Sequence, residues 1–423
     1  MNDRSHRTTP YRIALIDRPW LGYRSVMLAT PLVAPPIERI RAVLAEFLVR
    51  HPTAPLACRI DAAERRWVPV PPVEHAAHLD RILRSAPDPE PDDLGGHVRA
   101  HRDAGIEDLP FVATVSPGSV MLNGAHVLGD AATLSRLLQA LAGADADGLA
   151  AISDRARTVE PVRALARGLR AHGRDWFHHL RSPSTPPTPT QDAPPSAGPA
   201  RPAFVGTVLD QNALRGLTRW RNANAKGVSL TSVLTTAAFR ALTAHGVAVH
   251  GGGFYALIDI RAGLPDAGLR FGNLAKSLYL SADLREPSAA AAALSSATQT
   301  QRALPAIVVA SATSLLARRG RAPVPSAATP AMLTFNSLPS LPGVADLPWS
   351  STTGRRFYGF GESVGPGSIT IFALRMRDHM ELTASFDESS ATPAAVQAAL
   401  DAIACGEALS GALATVTRAP GAA

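Results

Sequence analysis

Between Ser182 and Pro202 the chain reads SPSTPPTPTQDAPPSAGPARP, and this segment limits the fold more than any other. Proline removes backbone donors and fixes φ, and the serines and threonines around it offer no apolar surface to bury. The segment therefore predicts an extended connector and not a packed element. It divides a chain of 423 residues nearly in half, and 46% of those residues are hydrophobic, enough to fill two cores of ordinary size. The expectation is a first lobe over 1–181, a linker over 182–202 and a second lobe over 203–423.

Within each half, short strand patterns alternate with helical ones. Strand-like alternation runs through 11–29, and Pro35-Pro36 opens IERIRAVLAEFLVRH, whose apolar positions keep helical spacing up to Pro52. Further strands are predicted at 57–60, 67–71, 111–115 and 120–125, the last two as a hairpin through Pro117-Gly118. The stretch 87–108 is polar, and 154–180 reads as a helix. In the second half 209–222, 229–245, 287–302 and 392–403 read as helices, and 254–259, 277–280, 332–335, 368–375 and 380–386 as strands. The fold class is α/β with two similar lobes, although no sequence repeat marks the similarity.

The net charge of +7 invites a nucleic-acid reading, but the basic residues are almost all arginine, Lys226 and Lys276 being the only lysines. Aromatics make up 5% of the chain and are not interleaved with basic clusters, so a base-stacking platform is not expected and nucleic acid is excluded as a partner. A basic surface still suits coenzyme phosphates or an acidic carrier protein. Cys58 and Cys405 stand far apart with no second pair, which argues against a disulfide framework or a metal site. The opening MNDRSHRTTPYR has no secretory apolar run, and uncharged stretches such as 306–317 fall well short of the roughly 20 residues that span a bilayer. A cytoplasmic protein with no transmembrane segment is expected.

The chemistry-bearing motif lies at SVMLNGAHVLGDAATLSRLLQAL, where an apolar strand runs into His126, turns through Gly129 to Asp130 and enters a helix. An imidazole with an ordinary pKa near 6.5 is suited to general-base work close to neutral pH. Two readings of Asp130 stay open: a partner in a site, or an N-cap accepting a backbone N–H of the helix it precedes. His126 alone could equally be a packed strand-end residue.

Five features occur here in a shared order: Arg50-His51-Pro52 closing the first long helix, His126-x-x-x-Asp130, VSLTSVLTTAAFRAL over 228–242, Asp259-Ile260-Arg261, and Phe271-Gly272-Asn273. In that order the chain resembles coenzyme A-dependent acyltransferases of the chloramphenicol acetyltransferase fold, and among them condensation domains, polyketide-associated acyltransferases and wax ester synthases. The resemblance implies two similar lobes forming a V around a central tunnel. It implies His126 as general base for acyl transfer from a coenzyme A or carrier-protein thioester to a hydroxyl or amine of a small-molecule or lipid acceptor, with no covalent acyl-enzyme. The phosphopantetheine thioester is then a co-substrate, no cofactor or metal is permanently bound, and an acyl carrier protein is an allowed partner. Asp130 is implied to be structural, with Arg261 as its partner; the plain alternative for Arg261 is a surface arginine. Asn336 and Ser337 fall where wax ester synthase-like relatives carry a Ser-Asn pair, here reversed, and could contact the oxyanion or the acceptor. A turn before Pro339 is the other reading.

Two positions depart from the condensation-domain pattern. Ala125 replaces its first histidine, which points to a stand-alone acyltransferase, and Ala131 replaces its glycine, where a β-carbon could narrow the site or tilt the helix. The rival to catalysis is a condensation-like module that recruits a partner protein. Gly361-Glu362-Ser363-Val364-Gly365 matches a hydrolase nucleophile elbow, yet Pro366-Gly367 and a strand follow it instead of a helix. His379, beside Asp378, completes no triad order, so the match is read as chance. His178 and His179 have no aspartate four residues on and are read as helix-end residues.

Overall fold

The computed structural model describes residues 9–90, 93–102, 106–152, 159–181, 201–261, 264, 272–316, 330–361 and 367–409. The linker expected over 182–202 lies outside these residues up to 200, and Pro202 already opens the strand Pro202–Leu209.

The first large sheet has the order Arg356–Gly361, Arg24–Thr30, Ser119–Ala125, Phe111–Ser116, Leu83–Ser85. Its centre is the expected hairpin, closed by the pair Ser116 and Ser119 around Pro117-Gly118. Every residue of both hairpin strands is buried, because the sheet is covered on both faces. On one face lies the helix Ala131–Gly143, which buries Leu134, Leu137, Leu138 and Leu141 against the sheet. Each buried leucine contributes roughly 1.5 to 3 kcal/mol. On the other face Val26, Leu28, Met121, Tyr358 and Phe360 pack with Val98 and Phe204. Val98 belongs to a helix, Leu94–Arg102, inside the stretch that reads as merely polar; a single fully buried valine anchors it, too little apolar pattern to show in sequence.

The second sheet has six strands in the order Ala275–Ser281, Gly253–Asp259, Met332–Leu338, Ser368–Arg375, Met380–Asp387, Pro202–Leu209. The helices Leu230–Ala244 and Pro393–Ala404 pack together over it in one large core. Of the two cap candidates in the sequence, Ser229 and Thr231, it is Ser229 that caps the former, its hydroxyl accepting from Ser232 N at 3.1 Å. The strand Pro202–Leu209 was not expected; it pairs antiparallel with Met380–Asp387 along its full length, starting at the residue assigned to the linker.

The lobes do not separate cleanly at the linker. The strand Arg356–Gly361, from the second half of the chain, pairs antiparallel with Arg24–Thr30 as the edge of the first sheet. Its outer side is tied to the second sheet by hydroxyls: Thr383 Oγ1 donates to the Gly359 carbonyl and Ser385 Oγ to the Gly361 carbonyl, both at 2.5 Å. Arg356 adds a bidentate pair to Glu381, at 2.6 and 3.2 Å, on a carboxylate that is 1% exposed. A small sheet, Tyr11–Arg12, Arg66–Pro69 and Cys58–Asp61, completes the first lobe. Cys58 is buried, its Sγ donating to the Ala54 carbonyl at 3.2 Å, and Cys405 is exposed. Among the described residues no helix is long and apolar enough to cross a membrane.

Candidate active site

His126 follows the strand Ser119–Ala125 and begins a single turn of 3-10 helix, His126–Leu128. Its backbone is pinned at both ends: His126 N donates to the Tyr23 carbonyl at 2.8 Å, and the His126 carbonyl accepts from Asn273 Nδ2 at 2.8 Å. The half-buried imidazole stacks on Trp20, ring centroids 4.0 Å apart and planes 7° from parallel. Nδ1 is buried and, among the described residues, makes no hydrogen bond of good geometry. Burial lowers the pKa of His126, against the opposing pull of its own carbonyl, the Asp130 charge and Asn273, so the ring is neutral at neutral pH.

Asp130 does both of the things that the sequence presents as alternatives. As N-cap of Ala131–Gly143 its Oδ1 accepts from Thr133 N and Thr133 Oγ1, each at 3.3 Å. The same carboxylate accepts from Arg261 Nη2 at 2.9 Å, and Oδ2 accepts from Leu274 N at 3.1 Å. The pair is buried, with side chains 5% and 15% exposed for Asp130 and Arg261, and Arg261 also reaches Asp259 at 3.2 Å. Burial works against the arginine's charge, but the carboxylates of Asp130 and Asp259 outweigh it and raise its pKa. Asp130 thus faces the second lobe and not the imidazole. Its own N–H donates to the Gly272 carbonyl at 3.3 Å, which extends the inter-lobe stitch along the backbone.

Gly129 is required for close approach: a Cβ there would lie 2.6 Å from Thr133 Cβ. Gly129→Ala is expected to push Thr133 off the cap and destabilise the protein by about 1 to 3 kcal/mol, the range for overpacking, as read by a melting curve. Ala131, in contrast, leaves the helix entry intact. It lines a cleft of about 390 Å³, counted to its open mouth, between Met27, Phe357 and Gly359 of the first sheet and Phe372, Leu374 and Thr383 of the second. The cleft is mostly apolar and ends at the first turn of the helix that Asp130 caps.

Asn336 and Ser337 lie inside the strand Met332–Leu338 and not in a turn before Pro339. Asn336 Oδ1 accepts from Leu257 N at 2.9 Å, holding together two strands whose backbone pairing is limited to Thr334 and Tyr255. Among the described residues no hydrogen bond links either residue to His126. Ser363 and its flanking glycine Gly365 lie outside the described residues, and so do the side chains of His178 and His179. His379 is engaged with Asp378 at 2.8 Å and Glu381 at 3.1 Å, far from any serine role that the sequence could give it. No group of three or more His, Cys, Asp or Glu among the described residues is placed to hold a metal ion.

Two residues that support His126, Trp20 on its ring and Asp17 through Asn273, were missed in the sequence. Trp20 and Asp17 sit on a tight turn through Arg18–Trp20, in a stretch that reads as strand alternation; the only local signal is a carboxylate next to Arg18-Pro19 in an apolar run.

No protein-family profile matches the chain, and no curated protein is similar to it in sequence. Solved structures are similar to it over nearly the whole of this chain. A trichothecene 15-O-acetyltransferase from Fusarium sporotrichioides aligns with a TM-score of 0.60 at 11% identity, over 95% of each chain. The first condensation domain of the calcium-dependent antibiotic synthetase aligns with a TM-score of 0.59 at 14% identity, over 97% of this chain and 99% of its own. The epimerization domain from the third module of tyrocidine synthetase B aligns with a TM-score of 0.53 at 13% identity, over 94% of this chain and 92% of its own. The chain therefore has the two-lobed α/β fold of condensation domains and chloramphenicol acetyltransferase-type acyltransferases, the fold that the ordered motifs imply. An epimerization domain among these structures means that the fold alone does not choose the reaction.

Proposed function

We propose that this protein transfers an acyl group from a coenzyme A or carrier-protein thioester to a hydroxyl or amine. The observation that carries this reading is the neutral, pinned imidazole of His126 at the strand-to-helix connection where the lobes meet, with Asp130 turned away from it to Arg261. His126 takes the proton of the acceptor O–H or N–H, and the freed lone pair attacks the thioester carbonyl. The tetrahedral oxyanion collapses, the C–S bond breaks, and the thiolate leaves with the proton returned by the imidazolium. No protein nucleophile is needed.

The cleft beside Ala131 is the room that such a site has for an acyl chain. Gly359 faces this cleft, and a Cβ at that position would meet nothing within 4 Å. Gly359→Leu is expected to leave the melting temperature within a few degrees and to shift donor preference toward shorter acyl chains by 10-fold or so, since each methylene excluded from an apolar pocket is worth about 1 kcal/mol or more. A donor series from acetyl to long-chain thioesters, compared in wild type and variant, reads this out.

The deciding experiment is a screen of the purified protein with acyl-coenzyme A and acyl-carrier donors against a panel of alcohols and amines, followed by intact mass and free-thiol release. Acylated acceptor formed by wild type and not by a His126 variant supports acyl transfer. Absence of product across the panel, with a carrier protein captured instead, supports the partner-recruiting module.

A further inference from the structure

Asp17 is 7% exposed, and its Oδ1 accepts two hydrogen bonds from Asn273, from N at 2.9 Å and from Nδ2 at 3.1 Å. The same Nδ2 donates to the His126 carbonyl. Both amide hydrogens of Asn273 are therefore committed, and its Oδ1 is buried with no donor among the described residues. A buried orphan acceptor costs stability, which marks an arrangement kept for something other than stability. Three residues on from Asp17, Trp20 covers one face of the imidazole. One turn thus touches His126 twice, through the amide that grips its carbonyl and through the stacked indole.

We propose that Asp17 is a positioning residue for His126, holding Asn273 against the His126 carbonyl while its own turn lays Trp20 on the ring. The ionised carboxylate is the stronger acceptor, so protonation of Asp17 slackens the grip on Asn273. Burial pushes the Asp17 pKa up to about 7, with the Asp130 charge adding to it and the two Asn273 bonds opposing. Among the described residues, the charged or titratable groups around it are these. His126 lies on the neighbouring connection, Asp130 is neutralised by Arg261, and Arg18 in the same turn donates its Nε to the Ile13 carbonyl at 3.1 Å. The helix Ala303–Leu316, packed on the turn, carries no titratable residue and is preceded by Arg302. The switch therefore works near neutral pH.

The raised pKa also fixes the sign of the stability effect. With a folded-state pKa raised above the ordinary 3.8, Asp17 contributes stability that is full below about pH 4 and lost as pH rises through about 7. Asp17→Asn carries no charge to lose. Its melting temperature relative to wild type is expected to rise between pH 5 and 8, whereas a carboxylate kept for stability gives the opposite trend.

The test is a pH titration of protein labelled at histidine Cε1, read by NMR, with the His126 resonance assigned from its loss in His126→Gln. Wild type is expected to show the ring's own inflection and a second one near 7, and Asp17→Asn only the first. Identical titrations in the two proteins, or a wild-type resonance with no second inflection, overturn the proposal. If Asp17→Asn fails to fold, Asn273→Ala carries the same test, because cutting the link must also remove the second inflection. The kinetic consequence rests on the acyl-transfer reading: both variants are expected to lower kcat by about 10-fold with KM little changed, as loss of orientation does. If no thioester is ever turned over, that reading fails while the ring titration still decides this one.

Discussion

His126→Ala is expected to lower acyl transfer by at least about 100-fold, the low end for loss of a general base, while leaving the fold in place. The second half of that expectation follows from what holds His126. Its contacts to Tyr23 and Asn273 run through its own backbone N–H and carbonyl, which alanine keeps. What alanine loses is the stack on Trp20, worth about 0.5 to 1.5 kcal/mol, from a ring that is only half-buried. Thiol release and a melting curve on the same preparation check both halves. The pH profile adds a third reading. Because burial lowers the His126 pKa, the acid-side fall in rate that belongs to the imidazole is expected below the ordinary histidine value of about 6.5, separate from the smaller step that Asp17 adds near 7. Near-wild-type turnover by His126→Ala removes the imidazole from the mechanism.

What was legible in the sequence is what is local. The hairpin 111–125, the connection through His126 and the helix that follows are written in alternation, a Pro-Gly turn and a capping aspartate, all within one stretch of chain. The Asp130–Arg261 pair spans 131 positions, and only the resemblance pointed to it. In the sequence, cap and ion pair read as alternatives. A carboxylate has two oxygens and about four acceptor sites, so it serves both at once. The contact of Asp17 with Asn273 spans 256 positions, and nothing in the local pattern of an N-terminal turn foretells it. The strand Arg356–Gly361 escaped for another reason. RFYGFG carries two glycines where the alternation should show, and those glycines are the ones facing the cleft and the neighbouring sheet. The residues that open the cleft are the ones that erase the strand signal.

That crossing strand also changes what holds the lobes in register. One lobe's sheet is completed by a strand of the other half, and the Thr383 and Ser385 hydroxyls close its open edge. On the far side of the cleft from this seam the lobes meet again at Gly129 to Asp130 against Gly272 to Leu274. The cleft is then bounded by two stitches of different kinds, one a strand edge and one a buried ion pair. The second is the one that a single substitution can open.

Asp130→Asn and Arg261→Met are each expected to cost about 3 to 5 kcal/mol, the range for stripping one partner from a buried pair, and to lower activity and melting temperature together. Asparagine caps a helix nearly as well as aspartate, so the Thr133 contacts alone predict an almost silent change. The difference comes from the other donors. Arg261 Nη2 and Leu274 N both point at the carboxylate, and an amide can turn an oxygen to only one of them while its NH2 confronts the other. Arg261 keeps Asp259, but that carboxylate is 55% exposed and 3.2 Å away, too well solvated to replace the buried one. In the double variant the cation is gone, the asparagine oxygen is free to cap Thr133 or accept from Leu274, and the penalty of an unpaired buried charge disappears. The double variant is therefore expected to cost less than the sum of the singles by about 0.5 to 3 kcal/mol. Melting stabilities of the four proteins close the cycle. Additivity within about 0.5 kcal/mol would mean that the pair carries no coupling and that Asp130 acts as a cap alone.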